Sequence, residues 1–262
     1  MTRLPDIPYY SLPDKFDSDH AAIRRSGPST NHLQDMFDAV LLDFPEVGSL
    51  VYKLKELGGH AVVFGGWARD CLISDMFGYK FNPRDLDIVF DGISNDQLTS
   101  ILPKTAILNI FGGAAFKSAN FHIDIWALSN TFLIKKFDLE PRFEILPTTT
   151  VFSINSVAFA PAQLWKEPFL IDAGFANAVD HELIAFRSST IPFPKIQVAR
   201  AATYAAKFGY KLDRQLIEFI NEICVNKAFT EVRNGILEFS QPNISEKALP
   251  VSYTHLTLPT KA

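Results

Sequence analysis

A short apolar run, Ala61-Val62-Val63-Phe64, stops on Gly65-Gly66, and a helix-forming stretch from about Trp67 to Met76 follows at once. A strand that turns on glycine directly into a helix constrains the fold strongly. Glycine permits close backbone approach, and the first turn of the helix leaves N–H groups open to an anion. The second constraint follows in Arg84-Asp85-Leu86-Asp87-Ile88-Val89-Phe90, where two acids one residue apart open another apolar run. Residues i and i+2 of a strand point to the same face, so Asp85 and Asp87 converge on one small volume. Two close carboxylates repel unless a cation lies between them. Mg2+ suits hard oxygen ligands, and its usual companions are substrate phosphates.

A third acid stands in Phe121-His122-Ile123-Asp124-Ile125-Trp126, where Ile123 and Ile125 face the core and Asp124 the opposite side. Three acids can hold two metal ions roughly 3.5–4 Å apart, one activating an attacking hydroxyl and one neutralising a triphosphate and its leaving group. Arg69, in the first turn of the helix after Gly65-Gly66, adds a charge-assisted contact to a phosphate in this scheme.

The organisation around these motifs is of the α+β type, close to α/β. Residues 1–30 mix Pro, Asp, Ser and charge without periodicity and are expected as a loosely packed arm. Leu33, Met36, Phe37, Val40 and Leu41 predict one helix, and Leu50, Val51, Leu54 and Leu57 a second that ends at Gly58-Gly59. Strands are predicted at 61–64 and 88–90, a short helix at 97–102, and strands near 106–110, 114–117 and 122–127, which together give a mixed sheet flanked by helices. Val198, Ala202, Ala205 and Phe208 predict a helix ending before Gly209, and Leu216, Ile217, Phe219 and Ile220 another. We therefore expect a head domain over 31–190 and a small, truncated helical region over 191–249. The last segment, 250–262, looks like a translated sequencing-adapter tail and is set aside, with the natural protein expected to continue past about Leu249.

In order and spacing, Gly65-Gly66-Trp67-Ala68-Arg69-Asp70, Asp85-Leu86-Asp87, and Phe111-Gly112-Gly113 before the Asp124 strand resemble the head domain of poly(A) polymerase and CCA-adding nucleotidyltransferases. Phe152-Ser153-Ile154-Asn155-Ser156 resembles that family's Phe-Thr-Ile-Asn segment. The resemblance implies metal-dependent transfer of a nucleoside monophosphate from a nucleoside triphosphate to a hydroxyl, an RNA 3′ end above all, with release of pyrophosphate. It also implies Asp85, Asp87 and Asp124 as catalytic ligands of Mg2+ or Mn2+, Gly65, Gly66 and Arg69 as the triphosphate turn, and Asn155 near the nucleotide.

Two departures bear on the substrate. Thr149-Thr150-Val151 stands where the family carries Arg-Arg-Asp, and Phe193-Pro194-Lys195-Ile196-Gln197 stands where it carries Glu-Asp-x-x-Arg. Both remove charge, and the arginine that follows the third acid in many relatives is also absent, Ser129 occupying that region. The metal-binding half of the chemistry is thus retained without the elements that select CTP and ATP. Two alternatives stay open: a nucleotide-binding or regulatory module without turnover, and nucleotidyl transfer to a protein or small molecule.

Plainer readings stand beside these. Asp70 fits a helix-surface ion pair, and Arg84 fits a phosphate contact or a solvated charge; His122 and Trp126 share the Asp124 face and are either cleft-lining groups or, more plainly, a surface histidine and a packed aromatic. Lys195, Arg200, Lys207 and Lys211 form either a basic strip for an acceptor strand or an ordinary solvated face. The net charge of −4 and pI near 5.9 supply no broad positive field, so any RNA contact needs a local patch. Cys71 and Cys224 match no metal or redox spacing, the N-terminus lacks a signal-peptide core, and no run is long enough to span a membrane. A cytoplasmic protein is expected.

Overall fold

The computed structural model describes residues 8–12, 22–78, 85–109, 112–118 and 121–224, with 233, 234 and 237 beyond them. Arg84, Phe111 and the segment 250–262 lie outside the described residues. In chain order the elements are β1 (Tyr9–Ser11), β2 (Ile23–Arg25), α1 (Pro28–Asp43), α2 (Pro45–Glu56), β3 (His60–Phe64), α3 (Gly66–Phe77), β4 (Asp85–Asp91) and α4 (Asn95–Ile101). Then come β5 (Ile107–Leu108), β6 (Ala114–Ser118), β7 (Phe121–Ala127), α5 (Phe132–Lys136), β8 (Val157–Ala160), β9 (Phe169–Asp172) and α6 (Phe175–Asp180). The series closes with β10 (Leu183–Ile184), β11 (Thr190–Pro192), α7 (Pro194–Phe208), β12 (Lys211–Leu212) and α8 (Arg214–Ile223).

The chain forms two compact units, the first closing at Phe175. It holds an eight-stranded sheet in the order β2-β9-β8-β3-β4-β7-β6-β5. Every neighbouring pair is antiparallel except β4 and β7. That exception positions the site, because β5, β6 and β7 run back as a meander that lays β7 parallel to β4. The fold is α+β with a mixed sheet and flanking helices, in agreement with the sequence reading.

Alternation along the central strands gives the sheet two different faces. Val63, Ile88 and Phe159 point to the side of α1 and α3, where Phe37, Trp67 and Phe159 meet with ring centroids 6.1–6.3 Å apart. Phe37 and Phe159 are almost wholly buried, and each such side chain contributes about 1.5–3 kcal/mol. On the other face Val62, Val89, Ala158 and Ile171 pack with Leu128, Ile134 and Leu146 from the segment after β7. Phe64 and Trp126 pack against this second core from its margin, edge to face at 6.4 Å.

Local chemistry sets the helix ends. Gly65, at φ 68°, opens α3 and Gly78, at φ 66°, ends it. Ser94 and Gln97 form a reciprocal capping box at α4, the Ser94 hydroxyl accepting from the Gln97 N–H and the Gln97 side chain from the Ser94 N–H. Gly209, in the left-handed region at φ 74°, ends α7 where the periodicity predicted.

Two parts of the expected N-terminal arm are strands: β2 pairs with β9 in the first unit, and β1 with β11 in the second. The second unit also holds β10, β12, α7 and α8. Here Asp213 caps α8 by accepting from the Leu216 N–H, and the Tyr10 hydroxyl donates to Glu222 at 2.6 Å. On α7, Arg200 and Lys207 lie within about 20° of one another around the axis while Lys195 lies about 140° from Arg200. All three are exposed, as is Lys211 on β12.

At the β2 edge, Arg24 donates twice to Glu144 Oε1, at 2.5 and 3.0 Å, and lies over the Phe169 ring at 4.7 Å. Burial alone would raise the Glu144 carboxyl, but the Arg24 hydrogen bonds and charge outweigh it and hold the group below its ordinary 4.5. A depressed carboxylate stabilises the fold above its unfolded pKa and loses that contribution as pH falls through the folded value. Glu144→Gln is therefore expected to cost under about 1 kcal/mol near pH 7, the pair being partly exposed. The difference from wild type should disappear in urea titrations carried progressively below pH 4.5.

Candidate active site

Backbone register assembles the acids. Across the parallel pair, Asp87 stands opposite Asp124 and Asp85 opposite His122. Phe64, the last residue of β3, stands opposite Asp87. The three acids predicted from sequence therefore share one face, at the end of the sheet where β3 finishes and β4 and β7 begin. Phe64 and Trp126 separate them from the core on that face. Asp85 is exposed, and Asp87 and Asp124 are half-buried.

The Gly65 turn lies beside this row. A Cβ added to Gly65 would come 4.0 Å from Asp87 Oδ2. The Gly65 N–H donates to the Val157 carbonyl at 3.1 Å, which fixes the turn to β8. The Arg69 N–H donates to the Gly65 carbonyl at 3.0 Å, so the first-turn N–H groups without an intrahelical acceptor are those of Gly66, Trp67 and Ala68.

Burial pushes the Asp124 carboxyl above its ordinary value, the nearby Asp85 charge pushes it the same way, and His122 opposes both. His122 Nδ1 lies 3.3 Å from Asp124 Oδ2 with its side chain 37% exposed, so this histidine is a surface group that also belongs to the acid row. Trp126 is a packed aromatic whose Nε1–H donates to Thr131 Oγ1 at 3.2 Å.

Arg69 and Asn155 are brought together beside the Gly65-Gly66 turn, where a Cβ added to Gly66 would come 3.7 Å from Arg69 Nη2. The Arg69 residue is only 6% exposed. Its Nε donates to Asp70 Oδ1 at 2.7 Å and its Nη1 to Asn155 Oδ1 at 2.5 Å. The guanidinium thus ties α3 to the segment before β8 from inside the fold, and Asp70 belongs to a buried pair where a surface pair had been read. At the Thr149-Thr150 departure, the hydroxyls of Thr148, Thr149 and Thr150 each donate to the carbonyl three residues back. That segment is a turn closed by its own threonine hydroxyls.

Carboxylate oxygens on adjacent strands are donors of the kind Mg2+ and Mn2+ take, so the donor chemistry fits a divalent cation. Among the described residues, however, no three His, Cys, Asp or Glu side chains are gathered into a metal-binding group. The acids share a face and a register without closing into a ligand cage. No helix among the described residues is long and apolar enough to cross a membrane.

No protein-family model and no curated protein matches the sequence. Solved structures do match it. A CCA-adding enzyme in complex with CTP superposes with a TM-score of 0.60 at 19% identity, over 88% of this chain and 56% of that one. The chain has the fold of the CCA-adding enzymes. The Thermotoga maritima CCA-adding enzyme complexed with tRNA gives 0.59 at 19% identity, over 91% of this chain and 58% of that one. A tRNA nucleotidyltransferase complexed with a primer tRNA and an incoming ATP analog gives 0.56 at 19% identity, over 79% and 60%. The chain thus spans a little over half the length of the CCA-adding enzymes it matches. The head-domain fold expected from the glycine and aspartate motifs is the fold observed.

Proposed function

We propose that the acid row of β4 and β7 is the centre of a metal-dependent nucleotidyltransferase. It would move a nucleoside monophosphate from a nucleoside triphosphate to a hydroxyl, an RNA 3′ end, and release pyrophosphate. The observation that carries this reading is the register that sets Asp87 opposite Asp124, with Asp85 on the same face and the Gly65 turn alongside. Likeness to CCA-adding enzymes with CTP and with ATP supports a nucleoside triphosphate as substrate. The tRNA in related complexes supports an RNA acceptor.

In the step itself, the acceptor hydroxyl gives its proton to water, its oxygen bonds to the α-phosphorus, the bond from that phosphorus to the bridging oxygen breaks, and pyrophosphate leaves with the electron pair. A divalent cation held by Asp85, Asp87 and Asp124 would neutralise the triphosphate and make the acceptor hydroxyl easier to deprotonate. The first-turn N–H groups of α3, at Gly66 and Trp67, receive the triphosphate. Arg69 and Asn155 act one layer behind, holding the Gly65-Gly66 turn against β8. Nothing else in such a transfer requires covalent chemistry from the protein, because alignment and charge stabilisation dominate phosphoryl chemistry.

The loss of charge at Thr149-Thr150-Val151 and at Phe193-Pro194-Lys195-Ile196-Gln197 supports a nucleotide preference unlike that of a CCA-adding enzyme. The reading predicts pyrophosphate release when the chain is incubated with each of the four triphosphates, Mg2+ or Mn2+, and total RNA. Release that requires a protein or small-molecule fraction would move the acceptor to that class. Tight calorimetric binding of a triphosphate with Mg2+ and no product after long incubation would make the chain a nucleotide-binding module.

A further inference from the structure

The acid face also carries a cation. Lys117 on β6 stands opposite His122, which stands opposite Asp85, so the three form one row across β4, β7 and β6 on the same face. Each strand step is about 4.8 Å, which puts the Lys117 backbone roughly 10 Å from that of Asp85. Lys117 is exposed, and its neighbour on the face, Ala115, opposite Asp124, carries only a methyl group. Beyond Ala115 lies Ile107 on β5, 73% exposed. Among the described residues, the sheet beside the acids is therefore a shelf, apolar at the half-buried Ala115 and at Ile107 and positive at Lys117.

The direction of the reaction decides what this shelf receives. In an in-line displacement the attacking and leaving oxygens lie on opposite sides of the phosphorus. The Gly65 turn is on the β3 side of the acids, and β6 is on the other. If the pyrophosphate leaves toward β3, the acceptor approaches over β7 and β6. We infer that Lys117 binds a backbone phosphate of the acceptor strand, with the terminal nucleotide lying over Ala115. The inference rests on the nucleotidyl-transfer reading of the acid row and adds the acceptor's position to it. It also supplies the local positive site that the net charge of −4 makes necessary for any RNA contact.

The test uses the full chain with Lys117→Ala, Lys117→Arg and Lys117→Glu, and a single-stranded RNA oligonucleotide ending in a 3′ hydroxyl. Fluorescence anisotropy measures RNA affinity against salt, and pyrophosphate release measures KM for RNA and for the triphosphate separately. Lys117→Ala should weaken RNA binding about two- to fivefold, as for one exposed charge pair. It should lower the slope of log affinity against log salt by about 0.7, the value for one phosphate of a single strand. Lys117→Arg should restore both, Lys117→Glu should weaken binding further, and the triphosphate KM should not move. Unchanged RNA affinity and slope in Lys117→Ala overturns the inference, and so does an effect confined to the triphosphate KM, which would assign the cation to the nucleotide. If wild type releases no pyrophosphate, the assigned reaction fails, and the anisotropy series still decides Lys117 by itself.

Discussion

Replacing Asp85 and Asp87 together by Asn is expected to lower metal-dependent pyrophosphate release at least a thousandfold, an order of magnitude set by the loss of groups that stabilise transition-state charge. Asn keeps the shape of Asp and removes the anion, so the strand should survive while its attraction for a divalent cation does not. Neither acid belongs to the buried core. Asp87 lies across from Asp124 and Asp85 pushes the Asp124 carboxyl upward, which means the substitution also removes like-charge repulsion. Thermal unfolding of the double variant should therefore match wild type or rise slightly. A large fall in activity with an unchanged melting temperature would locate the effect in the chemistry. Full activity in the double variant would remove these acids from the mechanism.

The second large effect concerns stability. Arg69→Met is expected to destabilise the first unit by about 3–5 kcal/mol, the usual cost of breaking a buried ion pair from one side. The reason is the neighbour left behind. The Asp70 side chain is 11% exposed and accepts from Arg69 Nε at 2.7 Å, and Asn155 loses the donor that holds its Oδ1. Methionine fills much of the guanidinium's volume but satisfies neither oxygen. Lysine keeps the charge without the planar fork that reaches Asp70 and Asn155 together, so Arg69→Lys should fall between the two. Urea unfolding of the three proteins checks the order. If Arg69→Met unfolds at the same denaturant concentration as wild type, the buried pair does not hold the turn.

Much of the site was legible because it depends on local rules. A strand meeting Gly65-Gly66, and acids at i and i+2 in Asp85-Leu86-Asp87, dictate a turn and a shared face before any pairing is known. The direction in which Asp124 faces also follows from alternation. What alternation cannot supply is the partner: the parallel pairing of β4 with β7, which puts Asp124 opposite Asp87 and not two residues away, appears only in the folded sheet. The same limit hid Lys117, whose relation to Asp85 passes through two pairings.

Arg69 shows a different gap. An arginine in the first turn of a helix after a glycine pair reads as a phosphate contact, and its burial and its bond to Asn155, 86 residues away, are not written in the local sequence. The strands β8 and β9 escaped for a packing reason. Val157, Ala158, Phe159 and Ala160 are all buried, because this strand lies inside the sheet and is covered on both sides. It therefore has no polar alternation by which to announce itself. By contrast, the core positions of α1 and α2 followed directly from their helical spacing, Leu33, Phe37, Leu50 and Leu54 all being buried.

The most direct measurement follows the label. The chain is incubated with a triphosphate labelled at the α-phosphate, Mg2+ and an RNA bearing a free 3′ hydroxyl, in parallel with the Asp85→Asn, Asp87→Asn double variant, and the RNA is resolved on a denaturing gel. The account predicts that wild type lengthens the RNA by labelled nucleotide at its 3′ end and that the double variant leaves it unlabelled. Equal labelling by both proteins, or triphosphate bound by wild type with no label transferred to RNA, would contradict it.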